Sequence, residues 1–487
     1  MKKLIGALVF ALLVLAAITP ERTLTFRSRQ PQVAGVAVEP LDTTALAQHL
    51  AGALRFKTIS YQDSSQFDGR QFDGLHQYLR TTFPKLHAAL KLEKVNGYGL
   101  LYEWTGSDPG LAPIVLLTHQ DVVPVEPGTE GRWTEPPFEG KIAAGYVWGR
   151  GALDDKGSLV AILEAIEHLV AGGAQPRRTV YLAFGYDEEV GGRRGAARIA
   201  ELLASRSVHP EFVLDEGGAL TTGLVTGISA PVALVGIAEK GYVTVSLTAQ
   251  AEGGHSSMPP PQTAVGILAT GLTRLEGQQM PRAIRGPTAD MFDYLGPEMS
   301  FGARLVMANR WLFGGVLAGR FGATPQGNAM LRTTTAPTVL QAGVKENVLP
   351  SSARALVNFR ILPGDSVGSV LEHVRRVVHD SRITVQTLEE TQSNPSGVTS
   401  VDAEPFKLLA RTIRQVIPEA IVSPWLVVGA TDSRHYARLT PNVLRFVGSS
   451  IGEGDLRRVH GTDERVGVRA YADAVRVYLQ LLKNAVL

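Results

Sequence analysis

Short, unbroken apolar runs that alternate with helical stretches constrain the fold more than any other feature of this sequence. The runs are PIVLLTH, TVYLAFGYDEE and EFVLDEGG, and the stretches between them are SLVAILEAIEHLVAGG and GAARIAELLASR. Strands that are aliphatic on both faces are buried on both sides, and intervening helices allow such strands to pair in parallel. The sequence therefore predicts an α/β protein with a mostly parallel sheet.

A different rhythm, over residues 238–391, predicts an inserted α+β domain. KGYVTVSLTAQ alternates like a strand with one solvent face; a helical stretch, two strands, a second helix and RITVQTLE follow it. This βαββαβ order is that of the two-layer ferredoxin-like arrangement. Helix and strand alternation then resumes, so the first domain is predicted to comprise residues 41–237 and 392–487. The apolar segment RWLFGGVLAGRF within the insert is predicted to be a helical elaboration.

The N-terminal segment, residues 1–20, has a short basic start and an apolar run from Leu4 to Ile18. This is the layout of a secretory signal, and it predicts export to the periplasm or the cell exterior. Small residues that would mark a cleavage site are hard to find before Pro20. An uncleaved anchor in contact with a membrane fits about as well, although the run is short for a full span. Residues 21–40 are interpreted as a linker.

Composition limits the chemistry. The 487 residues include no cysteine, so disulfides, thiolate metal sites and a cysteine nucleophile are excluded. The net charge of +2 comes with no cluster of basic residues, which makes nucleic acid a poor candidate partner. Any metal must be bound by His, Asp or Glu.

Acidic and histidine side chains follow the predicted strands. They are His119 and Asp121 after PIVLLT, Asp154 after GYVWGRG, Glu188 and Glu189 after YLAFGYD, and Asp215 and Glu216 after EFVL. The carboxyl ends of parallel strands lie along one edge of a sheet, so these groups are expected to converge. Converging carboxylates repel one another unless a cation neutralises them. Imidazole and carboxylate ligands without sulfur suit zinc, and there are enough of them for two metals that share a bridging carboxylate.

The order of the motifs resembles one enzyme family. The motifs are THQDVVP, WGRGALDDKG, DEEVGG, LDEGG, GGHSSMPP, NVLP, FRILPG and RVHGTDE. From about Leu41 onward the chain resembles the co-catalytic zinc amidohydrolases, which include aminoacylase, glutamate carboxypeptidase, carnosine dipeptidase and carboxypeptidase S. The segments RWTEPPFEG, LDDKGS, EKGYV, RTTTAPT and GATDSR are most similar to the carboxypeptidase S and N-fatty-acyl amino acid synthase/hydrolase branch.

The resemblance implies roles for individual residues. The implied ligands of two zinc ions per subunit are His119, Asp154, Glu189, Asp215 and His460, with Glu216 as an alternative to Asp215. Asp154 would bridge the two metals, and a cis peptide bond would join it to Asp155. Asp121 would orient the ring of His119, and Glu188 would act as the general base.

The inserted domain is implied to be a lid and dimerisation domain. His255 would stabilise the oxyanion of the tetrahedral intermediate, often, in this family, from a partner subunit. Asn347 and Arg360 would hold the α-carboxylate of the substrate, for which a bidentate guanidinium is well suited. A homodimer through this domain is the implied assembly.

The predicted function is zinc-dependent hydrolysis of the amide bond of an N-acyl amino acid, including N-fatty-acyl amino acids, with the reverse condensation open. The alternative is a metallo-carboxypeptidase or dipeptidase that acts on short peptides with a free carboxylate. A metal-stabilised binding protein without catalysis is disfavoured, because Glu188 and all five ligand positions are occupied. A dinucleotide site at GRGALD is disfavoured, because the third glycine of G-x-G-x-x-G is missing.

Overall fold

A computed structural model describes residues 2–388 and 392–487, without the side chains of residues 7–9, 11 and 12. The last residues of the predicted inserted domain, 389–391, lie outside the described residues. The helices are α1 (Lys2–Thr25), α2 (Thr43–Ala53), α3 (Gly69–Thr82), α4 (Pro84–Ala89), α5 (Lys156–Ala171), α6 (Ala196–Ser205), α7 (Ala264–Gly277), α8 (Pro287–Leu295), α9 (Phe301–Ala308), α10 (Arg310–Phe321), α11 (Pro325–Leu331), α12 (Val367–Val378), α13 (Glu404–Val416) and α14 (Val468–Val486).

The strands form a large central sheet and three smaller ones. They are β1 (Lys91–Val95), β2 (Gly99–Trp104), β3 (Ile114–His119), β4 (Lys141–Ala143), β5 (Tyr146–Trp148), β6 (Val180–Gly185), β7 (Phe212–Thr221), β8 (Val232–Glu239), β9 (Gly241–Gln250), β10 (Gly254–His255), β11 (Thr334–Ala342), β12 (Val348–Leu349), β13 (Ser352–Ile361), β14 (Ile383–Thr387), β15 (Ile421–Val427), β16 (Val443–Ile451) and β17 (Arg465–Gly467).

The central sheet has the strand order β1-β2-β6-β3-β7-β16-β8-β15. Strand β3 pairs in parallel with β6 and β7, β16 pairs in parallel with β7, and β15 pairs in parallel with β8. Strands β1 and β2 form an antiparallel edge, and β8 runs antiparallel to β7 and β16. The sheet is thus mainly parallel, which confirms the predicted α/β class.

Helices cover both faces of this sheet. Alternate residues of β3 point to opposite sides, so Leu116 packs in the core beneath α2, α5, α13 and α14, while Val115 packs with α6. Helix α5 contacts α2, α4 and α14 as well as the sheet, and most of its residues are buried. Its nearly continuous apolar sequence is therefore explained by burial on several sides.

The inserted domain is built on an antiparallel sheet of order β11-β13-β9-β14, with α7 and α12 packed on one face. In chain order this is the predicted βαββαβ arrangement. The chain enters and leaves the domain side by side, because Tyr242 and Ser393 exchange two backbone hydrogen bonds of 2.8 Å.

The predicted helical elaboration is α8 to α11, which lies between α7 and β11. Helix α1 packs against α9 of this group. Among the helices that the structure describes, none is both long and apolar enough to cross a membrane. The predicted linker is held to the body, because the buried Gln30 amide donates to the Val422 carbonyl at 2.9 Å and accepts from its N–H at 2.8 Å. Gln30 thereby pairs with β15 at the edge of the sheet.

Candidate two-metal active site

Two histidine and carboxylate groups share Asp154. In the first group, His119 Nε2 lies 3.0 Å from Asp154 Oδ1 and 3.4 Å from Glu216 Oε1. In the second group, His460 Nε2 lies 3.0 Å from Asp154 Oδ2 and 3.2 Å from Glu189 Oε2. The candidate ligand atoms of each group lie within 4.8 Å of one another. Asp154 therefore places one oxygen in each group, which is the arrangement a carboxylate needs to bridge two cations.

The parallel strands β3, β6 and β7 explain why three of these residues meet. His119 is the last residue of β3, and Glu189 lies in the turn that follows β6. Glu216 lies just beyond Leu214, where the pairing of β7 with β3 ends. Asp154 lies in the loop between β5 and α5, and the peptide bond to Asp155 is cis, as the resemblance implied. His460 is supplied by the distant segment between β16 and β17.

The preferred assignment of Asp215 as a ligand is corrected by this geometry in favour of the alternative, Glu216. Both residues belong to β7, where successive side chains point to opposite faces, so only one of the two can face His119. Asp215 is buried on the other side, where its Oδ2 accepts a hydrogen bond of 2.7 Å from the backbone N–H of Ser433. The motif alone could not show which of the two residues faces His119, because that depends on the orientation of the strand within the sheet.

Asp121 contacts both the ring of His119 and the turn that carries Glu188 and Glu189. Its Oδ1 lies 3.3 Å from Nδ1 of His119, and its carbonyl oxygen lies 3.0 Å from the same nitrogen. Its two carboxylate oxygens also accept hydrogen bonds of 3.2 Å from the backbone N–H groups of Glu188 and Glu189. Fully buried, Asp121 thus positions the histidine ring and the turn that carries both glutamates.

The site contains an excess of buried carboxyl groups, which favours the binding of cations. Burial raises the pKa of Glu188 well above its usual range, and burial together with the charge of Asp154 raises the pKa of Glu216 to about 8. Hydrogen bonds that His460 donates to the carboxylates of Asp154 and Glu189 raise its pKa to about 10. Glu189 Oε1 is buried without a hydrogen-bond partner among the described residues. Divalent cations would satisfy this orphaned oxygen and the crowded carboxylates together, so the residues present fit a two-metal centre.

Glu464 was missed by the sequence reasoning. It is fully buried, and its Oε1 accepts hydrogen bonds of 3.1, 2.9 and 3.2 Å from the backbone N–H groups of Gly151, Leu153 and Asp154. Its Oε2 accepts from Arg150 Nη1 at 2.6 Å. A single carboxylate therefore ties the loop of the bridging aspartate to the segment that carries His460. The only available signal was an acid four residues after that histidine in HGTDE.

Asp432 was also missed. Its carboxylate is buried, and neither oxygen has a hydrogen-bond partner within the part of the chain that the structure describes. Burial and the charge of Asp215 raise its pKa well above the usual range. A Cβ atom on Gly192 would lie 1.9 Å from Asp432 Oδ1, so only glycine fits at that position. The residue belongs to GATDSR, one of the segments that carried the resemblance.

The substrate-binding and oxyanion residues predicted in the inserted domain are not assembled with the predicted metal ligands. His255 pairs with Val348 between β10 and β12, and the Asn347 carbonyl accepts from the Ser256 N–H at 3.2 Å. His255 and Asn347 are both exposed, and no hydrogen bond or ion pair among the described residues links either of them to the carboxylates of the site. Arg360 of β13 lies over the ring of Tyr242, 4.8 Å from its centroid.

Arg360 is nevertheless influenced by a charged residue of the central domain. Burial lowers its pKa, and the positive charge of Arg434 lowers it further. Arg434 donates from Nη2 to the Gly191 carbonyl at 2.8 Å, next to the turn of Glu188 and Glu189. Two guanidinium groups therefore lie within electrostatic reach of each other at this edge of the site.

The fold and the site define a metal-dependent hydrolase with a two-metal centre at the carboxyl edge of a mainly parallel sheet. The family profile described as "Peptidase family M20/M25/M40" matches residues 115–484. The chain belongs to this family.

Individual relatives agree with the branch that the motifs indicated. The chain is 41% identical over 472 residues to a probable carboxypeptidase S-like protein of Dictyostelium discoideum, covering 95% of this chain and 90% of that one. It is 40% identical to an N-fatty-acyl-amino acid synthase/hydrolase of Xenopus tropicalis, covering 90% and 86%. A solved metallo-carboxypeptidase of Sulfolobus solfataricus superposes with a TM-score of 0.64 at 20% identity, covering 90% of this chain and 99% of that one.

Proposed function

We propose that this protein hydrolyses the amide bond of N-acyl amino acids at a two-zinc centre. The observation that carries the proposal is the position of Asp154, which offers one carboxylate oxygen to each of two histidine and glutamate groups. A long acyl chain is favoured by the 40% identity to a relative named as an N-fatty-acyl-amino acid synthase/hydrolase. The proposal includes the reverse condensation, which uses the same groups in the opposite order.

Five side chains would hold the two metals, with Asp154 shared between them. One metal would be held by His119, Asp154 and Glu216, and the other by Asp154, Glu189 and His460. A donor set of imidazole and carboxylate without sulfur suits zinc. When bound, two such ions lower the pKa of water and polarise the substrate carbonyl. Asp121 keeps the ring of His119 in place through its contact with Nδ1.

Glu188 would carry the proton. It would remove a proton from the attacking water, whose oxygen bonds to the carbonyl carbon, and would deliver that proton to the nitrogen as the C–N bond breaks. Burial of this carboxyl disfavours its charged form and so increases its proton affinity. That property suits a group that must accept a proton and then donate it. The hydrogen bond from its backbone to Asp121 fixes the start of the turn.

The inserted domain would complete the substrate site. Arg360, with Asn347, would bind the free carboxylate of the substrate, and the nearby charge of Arg434 adds to the attraction for an anion. His255 would stabilise the oxyanion. Because His255 and Asn347 are exposed here, we propose that they reach the carbonyl on closure of the lid or from the lid of a partner subunit.

A second candidate is cleavage of short peptides that end in a free carboxylate. The 41% identity to a probable carboxypeptidase S-like protein favours it, and the same catalytic groups would serve. The two candidates differ only in what occupies the acyl side of the scissile amide.

Release of free amino acid from matched substrates tests the proposal. N-oleoyl-phenylalanine, N-acetyl-phenylalanine and a phenylalanine-terminated dipeptide would be compared with zinc present and after chelation. We expect turnover that chelation abolishes and zinc restores, with preference for the oleoyl substrate. Preference for the dipeptide would replace the acyl proposal by the peptidase candidate and leave the metal centre standing. Turnover that survives complete removal of metal would contradict the mechanism itself.

We also propose that the protein is exported and that α1 is retained as an anchor. The support is the basic start and apolar run of residues 1–20 and the packing of α1 against α9. Mass spectrometry of the N-terminus of the secreted or membrane-associated protein distinguishes retention from cleavage.

A further inference from the structure

The described side chains of α1 between Leu4 and Ile18 are apolar, and most of them are exposed. Leu4, Phe10 and Leu13 are 77%, 70% and 64% exposed, and Ile5 is exposed as well. A helical segment that is apolar on all sides is stable in an apolar environment but not when surrounded by water. The surroundings of α1 in the functional protein must therefore include a further apolar phase or partner.

The C-terminal part of α1 is built into the protein through Asn309. This fully buried residue donates from Nδ2 to the Thr19 carbonyl at 3.1 Å and to Thr23 Oγ1 at 3.2 Å, and Thr23 is fully buried too. The Arg304 guanidinium donates to the Phe26 carbonyl just beyond the helix. Without α1, the Asn309 amide would lose two of its acceptors, which is costly for a buried group.

The same asparagine connects α1 to an exposed apolar face on the neighbouring helices. Asn309 Oδ1 accepts a hydrogen bond of 3.3 Å from Trp311 Nε1. Trp311 of α10 is 54% exposed, Leu312 and Val316 of the same helix are exposed too, and Phe301 of the contacting helix α9 is 60% exposed. Tryptophan is enriched where an apolar phase meets water, since its ring is apolar and its N–H is polar. The exposed apolar residues Phe301, Trp311, Leu312 and Val316 of these two helices are called the platform below.

Basic residues outnumber acids around the platform, although Arg310 is paired with Asp293 at 2.6 Å. Residues 299–344 contain no Asp or Glu, but they contain Arg304, Arg310, Arg320 and Arg332. The first 30 residues have Glu21 as their single acid, against Lys2, Lys3, Arg22, Arg27 and Arg29. Basic residues that border an apolar surface are complementary to the headgroups of anionic phospholipids. This charge distinguishes a lipid surface from an uncharged apolar partner.

We infer that α1 and the platform dock together on an anionic phospholipid membrane, with α1 inserted among the acyl chains and the platform lying at the headgroup level. The inserted domain would thus be held against the bilayer through its own helices and not only tethered by the N-terminus. This inference is independent of the proposed catalytic function, because none of its residues belongs to the metal centre.

Trp311 fluorescence is the sharpest test, because Trp311 is the one strongly exposed tryptophan of the five in the chain. The full chain, freed of detergent, would be mixed with phosphatidylcholine vesicles with and without phosphatidylglycerol. We expect a blue shift of emission and a fall of about threefold in acrylamide quenching on the anionic vesicles. The shift should weaken at high salt and disappear in Trp311→Phe, which should still bind.

Matched variants separate the platform from nonspecific adhesion. Trp311→Gln/Val316→Gln is expected to weaken binding to anionic vesicles about tenfold, from the apolar area removed. The control Leu340→Gln/Val344→Gln removes two exposed apolar side chains of the lid outside the platform and should bind like the parent. Equal weakening by both pairs would overturn the inference.

Three further outcomes would also overturn it. Vesicle-bound protein whose Trp311 remains as quenchable as in buffer would show that α1 alone contacts the lipid. A blue shift without vesicles that grows with protein concentration would show that a second copy of the chain covers the platform. Absence of vesicle binding by the full chain would exclude the lipid surface altogether.

Discussion

The two halves of the proposed active site differ in how they are held. In the central domain, Asp121 and Glu464 are fully buried and fix the metal-binding groups through backbone hydrogen bonds. In the inserted domain, His255 and Asn347 are exposed on short paired strands. Under the proposed function, the metal half would therefore be organised before substrate arrives, whereas the lid half would have to be brought to it. Substitutions in the two halves should accordingly impair different properties, metal affinity in one half and turnover in the other.

The largest effect is expected for Glu188→Gln. Loss of the proton carrier should lower kcat by about 10⁴-fold, at the upper end for general acid–base catalysis. Metal content should be unchanged, since Glu188 belongs to neither candidate metal group. Steady-state kinetics and metal analysis on the same sample measure both quantities. A variant with near-parental kcat and full metal occupancy would refute the role of Glu188.

A lid substitution should reduce the rate without affecting the metal. His255→Ala is expected to lower kcat by about 10²-fold, the cost of one oxyanion donor. Metal affinity and thermal stability should not change, because His255 is exposed and its side chain contacts Ser257. Ser257→Ala is the matched control, and it should retain most activity. Loss of metal in His255→Ala would mean that the two halves are not separate.

Glu464→Gln tests the opposite half. Replacing the carboxylate by an amide weakens its pairing with Arg150 and disturbs the loop of Asp154, so metal affinity should fall about tenfold or more. Excess zinc should restore most of the rate. Glu453→Gln, which changes an exposed acid of the same region, serves as the control. A variant that binds metal normally and only loses kcat would assign Glu464 a direct part in catalysis.

The smallest expected effect concerns stability at the junction of the domains. Burial and the charge of Arg360 lower the pKa of Lys240 to about 7, and its Nζ donates to the carbonyls of Ala329 and Arg332. The unfolded chain then binds more protons than the folded one above pH 7, so stability should rise with pH. The expected gain is about 1.5 kcal/mol between pH 7 and pH 8.5.

Denaturant unfolding at several pH values measures this gain. Lys240→Met removes the titrating group. It should therefore remove most of the difference between the free energies of unfolding at pH 7 and at pH 8.5. If the free energy of unfolding rises equally with pH in the parent and in Lys240→Met, the pKa of Lys240 is not lowered in the folded state.

Much of the architecture was predictable from local pattern. Continuous apolar runs such as PIVLLT indicate strands buried on both faces, and β3 is buried in this way. The βαββαβ order of the insert could also be predicted, since β13 alternates buried side chains with exposed or partly exposed ones. Because strand ends share one edge of a parallel sheet, the convergence of His119, Glu189 and Glu216 could also be predicted. The same argument does not hold for Asp154, because β5 belongs to a separate antiparallel sheet.

The sequence by itself determined the fold class, the family and the set of residues able to bind metal, because these depend on residue types and on their order. Tertiary structure decided which of Asp215 and Glu216 faces His119, since the direction of a side chain depends on the orientation of the whole strand. It also revealed Glu464 and Asn309, whose partners are more than 280 residues away along the chain. Contacts of this kind leave no local pattern, because they exist only after distant segments have packed together.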